Sequence, residues 1–333
     1  MLELVVVFLS IASSFATVFV MTPFIIERMQ RRGITGKDMN KASKPDVAEM
    51  GGISVIFGLA FAVIVAIFCF TYLKWIKLDL TLLFAGLLTV LLVGFIGIVD
   101  DLIGWRKGIR QWQHALFPLF AALPLMAARS GTNIISLPFF GLVPLGIYYS
   151  LVLVPIGVTG ASNAFNMLAG FNGLEAGLGL ISAVTLLVIA ISNGHFEAAI
   201  LLAALAGALL AFLWYNWFPA KIFGGDSLTL MNGAAIAAAS IIGDMEKFGI
   251  MVIAIFFVEL FLKARHVFQA QSFGMPKNNG CLEADKKMGS LTQVILALGN
   301  GKLREPQVTA IILSLHGLVC ITVLLVFFFK LAG

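Results

Sequence analysis

Two adjacent carboxylates, Asp100 and Asp101, end an apolar stretch and are followed by Arg106, Lys107 and Arg110. If the stretch is a helix, both acids lie at its C-terminal end, where the helix dipole disfavours each negative charge by up to about 1 kcal/mol. A lysine or arginine would anchor a membrane edge at lower cost. The pair therefore indicates a cation site beside a phosphate site, with a solvated membrane-edge anchor as the structural alternative.

A second polar cluster runs from Asn163 to Gly177 and contains three asparagines, three glycines and Glu175. Asn163 and Asn166 are three residues apart, so they share one face of a helix. Glycine lets the backbone approach a flat ligand such as a nucleobase. A polar turn with asparagine caps would need only about four such residues, so the length of the cluster favours a binding site.

A lone acid, Asp226, follows two glycines at the predicted start of another apolar stretch. By itself it would be an ordinary helix N-cap. Together with Asp100, Asp101 and Asn166, however, it completes a set of hard oxygen ligands. Mg²⁺ prefers one or two carboxylates with waters and substrate phosphates, so the set predicts a Mg²⁺ site. Mn²⁺ would accept the same oxygens.

The apolar stretch near residue 260 carries Glu259 and Lys263, which are four residues apart on one helix face, with His266 close behind. A local ion pair explains the first two residues as well as a binding site does. Arg265 and His266 are better candidates for contacts to anionic oxygens. Lys44, shortly before a Gly-Gly pair, could meet phosphate or lipid headgroups, although this motif alone is weak.

The composition places these residues in a membrane protein. The 333 residues are 60% hydrophobic and 12% charged, with a mean hydropathy of +1.02. A soluble domain is about half apolar and one quarter charged, so these charges are too few to cover a globule of this size. Runs of about 20 apolar residues can cross a hydrocarbon core of about 30 Å. We expect an all-α integral membrane protein in which residues 1–333 form a single polytopic domain.

Ten apolar segments are predicted to span the membrane, and ten spans place both termini on the same side. Several of the segments are short or contain proline. The segments are approximately 2–25, 51–73, 80–99, 114–129, 141–160, 174–192, 197–214, 228–243, 248–263 and 307–329.

Lysine and arginine predict the orientation, because cytoplasmic loops carry an excess of them. Of the 22 basic residues, 17 follow the odd-numbered spans, so both termini are predicted to lie outside. The unusual polar residues share this predicted cytoplasmic face, whereas a transporter would place some at mid-membrane. Nucleic acid is not needed to explain the net charge of +5. The predicted cytoplasmic loops are about 26–50, 100–113, 161–173, 215–227 and 264–306.

Together, these stretches resemble the polyprenyl-phosphate N-acetylhexosamine-1-phosphate transferase family, of the glycosyltransferase-4 type. The stretch from Asn163 to Gly177 and the run from Tyr215 to Asp226 are most similar to the branch that makes dolichyl-diphosphate-GlcNAc, and the short loops favour an archaeon. The resemblance implies a ten-span enzyme that transfers GlcNAc-1-phosphate from UDP-GlcNAc to dolichyl or another polyprenyl phosphate and releases UMP. This reaction is the first membrane step in assembling the lipid-linked oligosaccharide for N-glycans.

The resemblance also implies roles for individual residues. Asp226 and Asn166 would hold Mg²⁺, while Asp100 and Asp101 would position or deprotonate the lipid phosphate, so that Asp100, Asp101 and Asp226 form the catalytic set. The residues implied to bind substrate are Glu49, Arg110, Asn163, Gly170, Asn172, Phe223, Lys263, Arg265 and His266.

Some features depart from the family pattern and keep alternatives open. The third acid that some members carry after the 100–101 pair is absent, and the loop after residue 264 lacks both the bacterial multi-histidine signature and the eukaryotic Cys-Pro-Arg-His-Arg form. The resemblance implies that this loop largely selects the sugar, so another UDP-HexNAc or undecaprenyl phosphate is the nearest alternative. A secondary transporter is a distant one. The predicted location is the cell membrane of an archaeon, or the endoplasmic reticulum of a eukaryote, and a homodimer stays open.

Overall fold

The computed structural model describes residues 1–104, 111–131, 134–137, 141–285 and 288–329. These residues form thirteen α-helices and three short antiparallel hairpins. The helices are α1 Leu2–Arg32, α2 Gly52–Phe68, α3 Leu80–Gly104, α4 Gln111–Ala121, α5 Leu123–Ala127, α6 Val154–Met167, α7 Leu174–Asn193, α8 Phe196–Asn216, α9 Asp226–Ile242, α10 Glu246–Val252, α11 Ala254–Ala264, α12 Leu291–Leu298 and α13 Glu305–Phe329. Two π-helical segments, Cys69–Leu73 and Tyr149–Leu153, extend α2 and precede α6.

The hairpins pair six strands. These are β1 Thr35–Lys37 with β2 Asp46–Ala48, β3 Ile134–Leu137 with β4 Gly141–Pro144, and β5 Met275–Pro276 with β6 Leu282–Glu283. The first and third hairpins lie in segments predicted to be cytoplasmic loops.

Six helices of the described chain are long and apolar enough to cross a membrane: α1, α2 with its π-helical end, α3, α7, α8 and α13. Two shorter apolar stretches, Leu116–Ala127 and Asp226–Ile242, accompany them. The architecture is that of a helical integral membrane protein, as the composition predicts.

Several boundaries differ from the predicted ones. Helix α1 continues to Arg32, and α6 continues to Met167, so the loops predicted to begin at 26 and 161 are shorter. The fifth apolar segment begins as strand β4 rather than as a helix. The ninth is divided into α10 and α11 at Ile253, whose φ of −82° and ψ of 9° lie in the sparsely allowed bridge region. Hydropathy indicates which residues are buried in lipid or protein, but it does not show where a helix is interrupted or replaced by a strand.

Helix α9 lies at the centre of the bundle, and all its residues from Ser227 to Ile242 are buried. Small residues let its neighbours approach closely, as membrane helices require. A Cβ on Gly97 of α3 would lie 2.5 Å from the Cα of Ser227. A Cβ on Gly233 would clash with the backbone of Ala161 on α6. These contacts fix α9 between α3 and α6.

The chain leading into α2 pairs with the chain leading into α9. The backbone N–H of Phe223 donates to the carbonyl of Ala48 at 2.8 Å, and the N–H of Gly51 donates to the carbonyl of Phe223 at 2.9 Å. Gly52 donates in the same way to Gly224 at 2.9 Å. The two loops that carry Glu49 and Asp226 are therefore held side by side.

Candidate active site

The N-terminus of α9 is capped by an acid from another helix. Oδ1 of Asp101, on α3, accepts the backbone N–H of Asp226 at 2.7 Å. Its Oδ2 accepts the N–H and the hydroxyl of Ser227 at 3.2 and 2.8 Å. A Cβ on Gly225 would lie 2.5 Å from the same carboxylate. Asp101 therefore determines where Asp226 lies, and its own carboxylate is occupied by the cap.

Asn166, near the end of α6, is joined to the first turn of α9. Its Oδ1 accepts the hydroxyl of Thr229 at 3.0 Å, and Asn166, Thr229 and Asp226 line the same cleft. An amide oxygen has a second lone pair, so Oδ1 can accept the hydroxyl and still ligate a cation. One carboxylate and one amide oxygen beside open space fit a Mg²⁺ ion that keeps several waters and phosphate oxygens. Among the described residues, no group of three or more His, Cys, Asp and Glu side chains forms a fuller metal cage.

The cleft encloses about 780 Å³, counted out to its open mouth. That space is large enough for a nucleotide-sized ligand. Six of the residues predicted to form the site line it: Glu49, Asn166, Gly170, Asn172, Phe223 and Asp226.

Glu49 is a partly buried acid on the same cleft as Asp226. Burial raises the pKa of Glu49 above its usual value, and the nearby negative charge of Asp226 raises it further. A Cβ on Gly36 of β1 would clash with the Glu49 carboxylate, so the first hairpin holds this side chain against the cleft. Two neighbouring carboxylates repel each other, and a cation bound between or beside them would relieve this repulsion.

One part of the cleft wall is formed by Gly170 and the Phe273 ring, which are in contact, and Phe223 also lines the cleft. Gly170 has a φ of +107°, and a Cβ there would lie 2.8 Å from the Phe273 ring. Its N–H donates to Oε1 of Glu175 at 2.6 Å. Glycine backbone and aromatic rings together form a surface on which a nucleobase can stack.

Lys263 and Glu259 connect α11 to two other parts of the site. The Lys263 ammonium lies 3.5 Å from the Glu259 carboxylate and donates to the carbonyl of Met167, directly after Asn166. Glu259 in turn accepts the hydroxyl of Ser290 at 2.8 Å and the N–H of Leu291 at 2.7 Å, so it caps α12. Neither side chain lines the cleft described above. Their arrangement supports the ion-pair explanation and also ties the loop after α11 to α6.

The remaining predicted residues do not line this cleft. Arg265 is exposed, and the ring of His266 packs against Gly289. Asn163 donates to the carbonyl of Thr159 at 2.8 Å within its own helix. Asp100 is 7% exposed. Arg110 lies outside the described residues, as do Arg106 and Lys107.

Several residues in or beside the cleft were not identified from the sequence, among them Thr229, Phe273, Asp38, Asn40, Lys41 and Glu305. Asn40 is buried, donates to the carbonyl of Gly170 at 2.8 Å and accepts the N–H of Gly274 at 2.9 Å. Lys41 binds both Asp38 and Glu305. Asp38, Asn40 and Lys41 lie within four consecutive positions, and this cluster of polar residues was the only local sign of a site. In a basic loop, however, such a cluster is typical of a solvent-exposed surface.

Comparison with known proteins identifies the family. Residues 83–244 match the sequence profile described as glycosyl transferase family 4. Over 328 residues, the chain is 35% identical to a protein of Sulfolobus acidocaldarius, with 96% of each chain covered. The chain belongs to glycosyl transferase family 4. That relative carries the name of a UDP-N-acetylglucosamine–dolichyl-phosphate N-acetylglucosaminephosphotransferase.

Two further family 4 relatives show how far the similarity extends. A protein of Saccharolobus solfataricus with the same name is 33% identical, again with 96% of each chain covered. A phospho-N-acetylmuramoyl-pentapeptide-transferase of Limosilactobacillus reuteri is 32% identical over 75% of this chain and 78% of its own. The similarity to the archaeal relatives thus extends over more of this family 4 chain than the similarity to the bacterial one.

Proposed function

We propose that the protein transfers GlcNAc-1-phosphate from UDP-GlcNAc to dolichyl phosphate, giving dolichyl-diphosphate-GlcNAc and UMP. The names of the two archaeal relatives, which match over 96% of both chains, support this substrate pair. The observation that carries the proposal is the meeting of Asp226 and Asn166 in one cleft beside the Gly170 and Phe273 wall. A cation site and a nucleobase site in the same cleft suit a nucleoside diphosphate sugar.

The reaction joins a phosphate oxygen of the lipid to the β-phosphorus of UDP-GlcNAc. The bond from that phosphorus to the bridging oxygen breaks, and the bridging oxygen leaves with UMP. Because two anions must approach each other, catalysis depends mainly on positioning and on neutralising charge. Asp226 and Asn166 would hold Mg²⁺, or Mn²⁺, which when bound would neutralise the diphosphate and polarise its oxygens.

Other residues of the chain have proposed roles. Asp101 positions the first residue of α9, and with it Asp226. Asp100 remains the candidate for positioning or deprotonating the lipid phosphate. The Gly170, Phe273 and Phe223 surface would receive the uracil. Arg110, Arg265 and His266 stay proposals for contacts to phosphate or sugar, as do Asn163 and Lys263.

The membrane arrangement is also proposed. The described helices would give ten crossings if α4 with α5 and α10 with α11 each count as one and α12, which lies in a predicted cytoplasmic loop, is left out. The excess of basic residues on one side favours a cytoplasmic cleft with both termini outside, in the cell membrane of an archaeon.

The lipid tail is proposed to lie in an apolar cavity beside α6. The cavity encloses about 540 Å³ and is lined by residues of α6, α9 and α10, among them Gly157, Ala161 and Ile236. It also borders the π-helical segment that precedes α6, of which Tyr149 and Leu153 line the cavity. Its lining is almost entirely apolar, which suits an isoprenoid chain.

One assay with purified protein tests the proposed reaction. Radiolabelled UDP-GlcNAc and dolichyl phosphate are incubated with Mg²⁺, with and without EDTA, and the lipid product is identified. We expect GlcNAc-diphosphate-lipid and UMP in equal amounts, and no product with EDTA. A parallel arm supplies UDP-N-acetylmuramoyl-pentapeptide and undecaprenyl phosphate, the acceptor of the alternative. Faster transfer in that arm, or no lipid-dependent release of UMP, would contradict the proposal.

A further inference from the structure

Three charged side chains meet beside the cleft. Lys41 follows β1, Asp38 precedes it by three residues, and Glu305 is the first residue of α13. The Lys41 ammonium donates to Oδ2 of Asp38 and lies 3.1 Å from Oε2 of Glu305. The two carboxylate side chains are only 3% and 2% exposed. Buried charges persist when they are paired and hydrogen-bonded, so this trio depends on its single cation.

Every member of the trio also contacts Asn172. The Lys41 ammonium donates to Oδ1 of Asn172 at 3.0 Å, and Nδ2 of Asn172 donates to Asp38 at 3.2 Å. The backbone N–H of Asn172 donates to Oε1 of Glu305 at 2.9 Å. A fourth partner, the N–H of Ala220, donates to Oδ1 at 2.9 Å. Asn172 is 3% exposed and lines the cleft.

These contacts determine which way the carboxamide faces. The oxygen and the NH₂ group of an asparagine carboxamide have nearly the same shape, so their hydrogen-bond partners decide which position the oxygen takes. Two donors, from Lys41 and Ala220, contact one end, and the Asp38 carboxylate contacts the other. The nitrogen carries two hydrogens, of which Asp38 accepts one. We propose that Lys41 is a positioning residue that locks the Asn172 carboxamide so that its second N–H faces the nucleobase.

The inference rests on the proposed function, which places the nucleobase against Gly170, and Asn172 lines the same cleft. It adds a basis for selectivity. The partner proposed for this fixed N–H donor is O4 of uracil, because O2 is common to uracil and cytosine. Cytosine carries an amino group where uracil carries its O4, so two donors would then face each other and remain unpaired. A site built around such a hydrogen bond rejects the mismatched ligand strongly. Lys41 would therefore control discrimination between uracil and cytosine without touching the nucleotide.

Equilibrium binding of UDP and CDP to the full-length protein, in detergent with Mg²⁺, tests this inference. Lys41→Met removes the cation but leaves two buried carboxylates together, so this variant could fail to fold. The double variant Asp38→Asn with Lys41→Met keeps the trio at the wild-type net charge of about −1 while removing the orienting donor. Lys302→Met, which changes an exposed lysine in the segment between α12 and α13, is the control for loss of a lysine.

We expect the wild type and Lys302→Met to prefer UDP over CDP by at least about tenfold, which is about 1.4 kcal/mol. In the double variant, the ratio of the two dissociation constants should fall toward one, with a thermal midpoint that shows a folded protein. A folded double variant with the wild-type ratio would overturn the role of Lys41 and leave the proposed reaction untouched. A wild-type protein that binds CDP as tightly as UDP would overturn the nucleobase assignment, and with it the proposed function, whatever the double variant does.

Discussion

The Thr229 hydroxyl donates to Oδ1 of Asn166 at 3.0 Å and so joins α9 to α6 across the cleft. Thr229 follows Asp226 by three residues, so both side chains belong to the first turn of α9. The contact links the two proposed metal ligands, because Thr229 orients Asn166 and lies on the same helix as Asp226. Groups that orient a ligand typically affect metal affinity by 10-fold to 100-fold.

Thr229→Val removes this hydroxyl and keeps the side-chain shape. We expect the Mg²⁺ concentration for half-maximal transfer to rise about tenfold, because the Asn166 oxygen is no longer held. Titration of activity with Mg²⁺ measures the shift. The matched control is Thr185→Val, at a similarly buried helical threonine whose hydroxyl binds the carbonyl of Ile181. An unchanged Mg²⁺ requirement in Thr229→Val would contradict the assignment of Asn166.

Asp101→Asn should weaken both the fold and the reaction. The asparagine can accept only part of the three hydrogen bonds that Asp101 accepts, and it removes a charge that is favourable at a helix N-terminus. We expect the free energy of unfolding to fall by about 1–3 kcal/mol and transfer to slow at least tenfold because Asp226 shifts. Thermal unfolding and UMP release are measured on the same preparation.

A cap at the other end of α3 provides the control for this variant. Asp79 accepts the N–H groups of Thr81 and Leu82 at 2.8 and 3.2 Å and is exposed. Asp79→Asn should cost about 1 kcal/mol or less and leave turnover per folded molecule unchanged. If both variants kept wild-type turnover, Asp101 would only stabilise α9 and would not position the site.

Gly170→Ala tests the nucleobase wall. The added Cβ must tolerate a φ of +107° and would lie 2.8 Å from the Phe273 ring. We expect the KM for UDP-GlcNAc to rise about tenfold or more because Phe273 is displaced, while the KM for the lipid changes little. Gly194→Ala, at φ +75° with nothing within 4 Å of the new Cβ, also places an alanine at a positive φ but without the clash. Equal effects of the two substitutions on KM would argue against a stacking surface at Gly170.

Gly157→Leu tests the apolar cavity as the site of the lipid tail. A Cβ at Gly157 meets nothing within 4 Å, so a leucine can project into the cavity without disturbing α6. We expect a KM for dolichyl phosphate raised several-fold and an unchanged KM for UDP-GlcNAc. Gly160→Leu makes the same change at an exposed position of α6 that does not line the cavity. A Gly157→Leu enzyme with the lipid kinetics of Gly160→Leu would place the tail elsewhere.

The sequence was sufficient to predict the parts of the site whose residue types are unusual for a membrane helix. Asp226 and Asn166 were predicted as members of one set of oxygen ligands with Asp100 and Asp101, and the structure places both on one cleft. Gly170 and Phe223 were also predicted, on the basis of family resemblance, and they line the same cleft.

Contacts between distant parts of the chain could not be predicted. Asn172 meets Asp38 and Glu305 across 134 and 133 positions, and no local pattern encodes such a distance. Glu305 is the first residue of α13, a position where the helix dipole alone is enough to explain an acid. The cap that Asp101 forms on α9 was missed for the same reason, so an acid assigned to chemistry turned out to have a structural contact as well.

The central claim is that Asp226 makes transfer depend on a divalent cation, and the most direct measurement compares Asp226→Asn with the wild type. Lipid-dependent UMP release from UDP-GlcNAc is followed while Mg²⁺ is varied, with unfolding midpoints to show that both proteins are folded. We predict a folded variant whose turnover is lower by about 10²-fold or more at every Mg²⁺ concentration. Near-wild-type turnover with the same Mg²⁺ dependence would contradict the account.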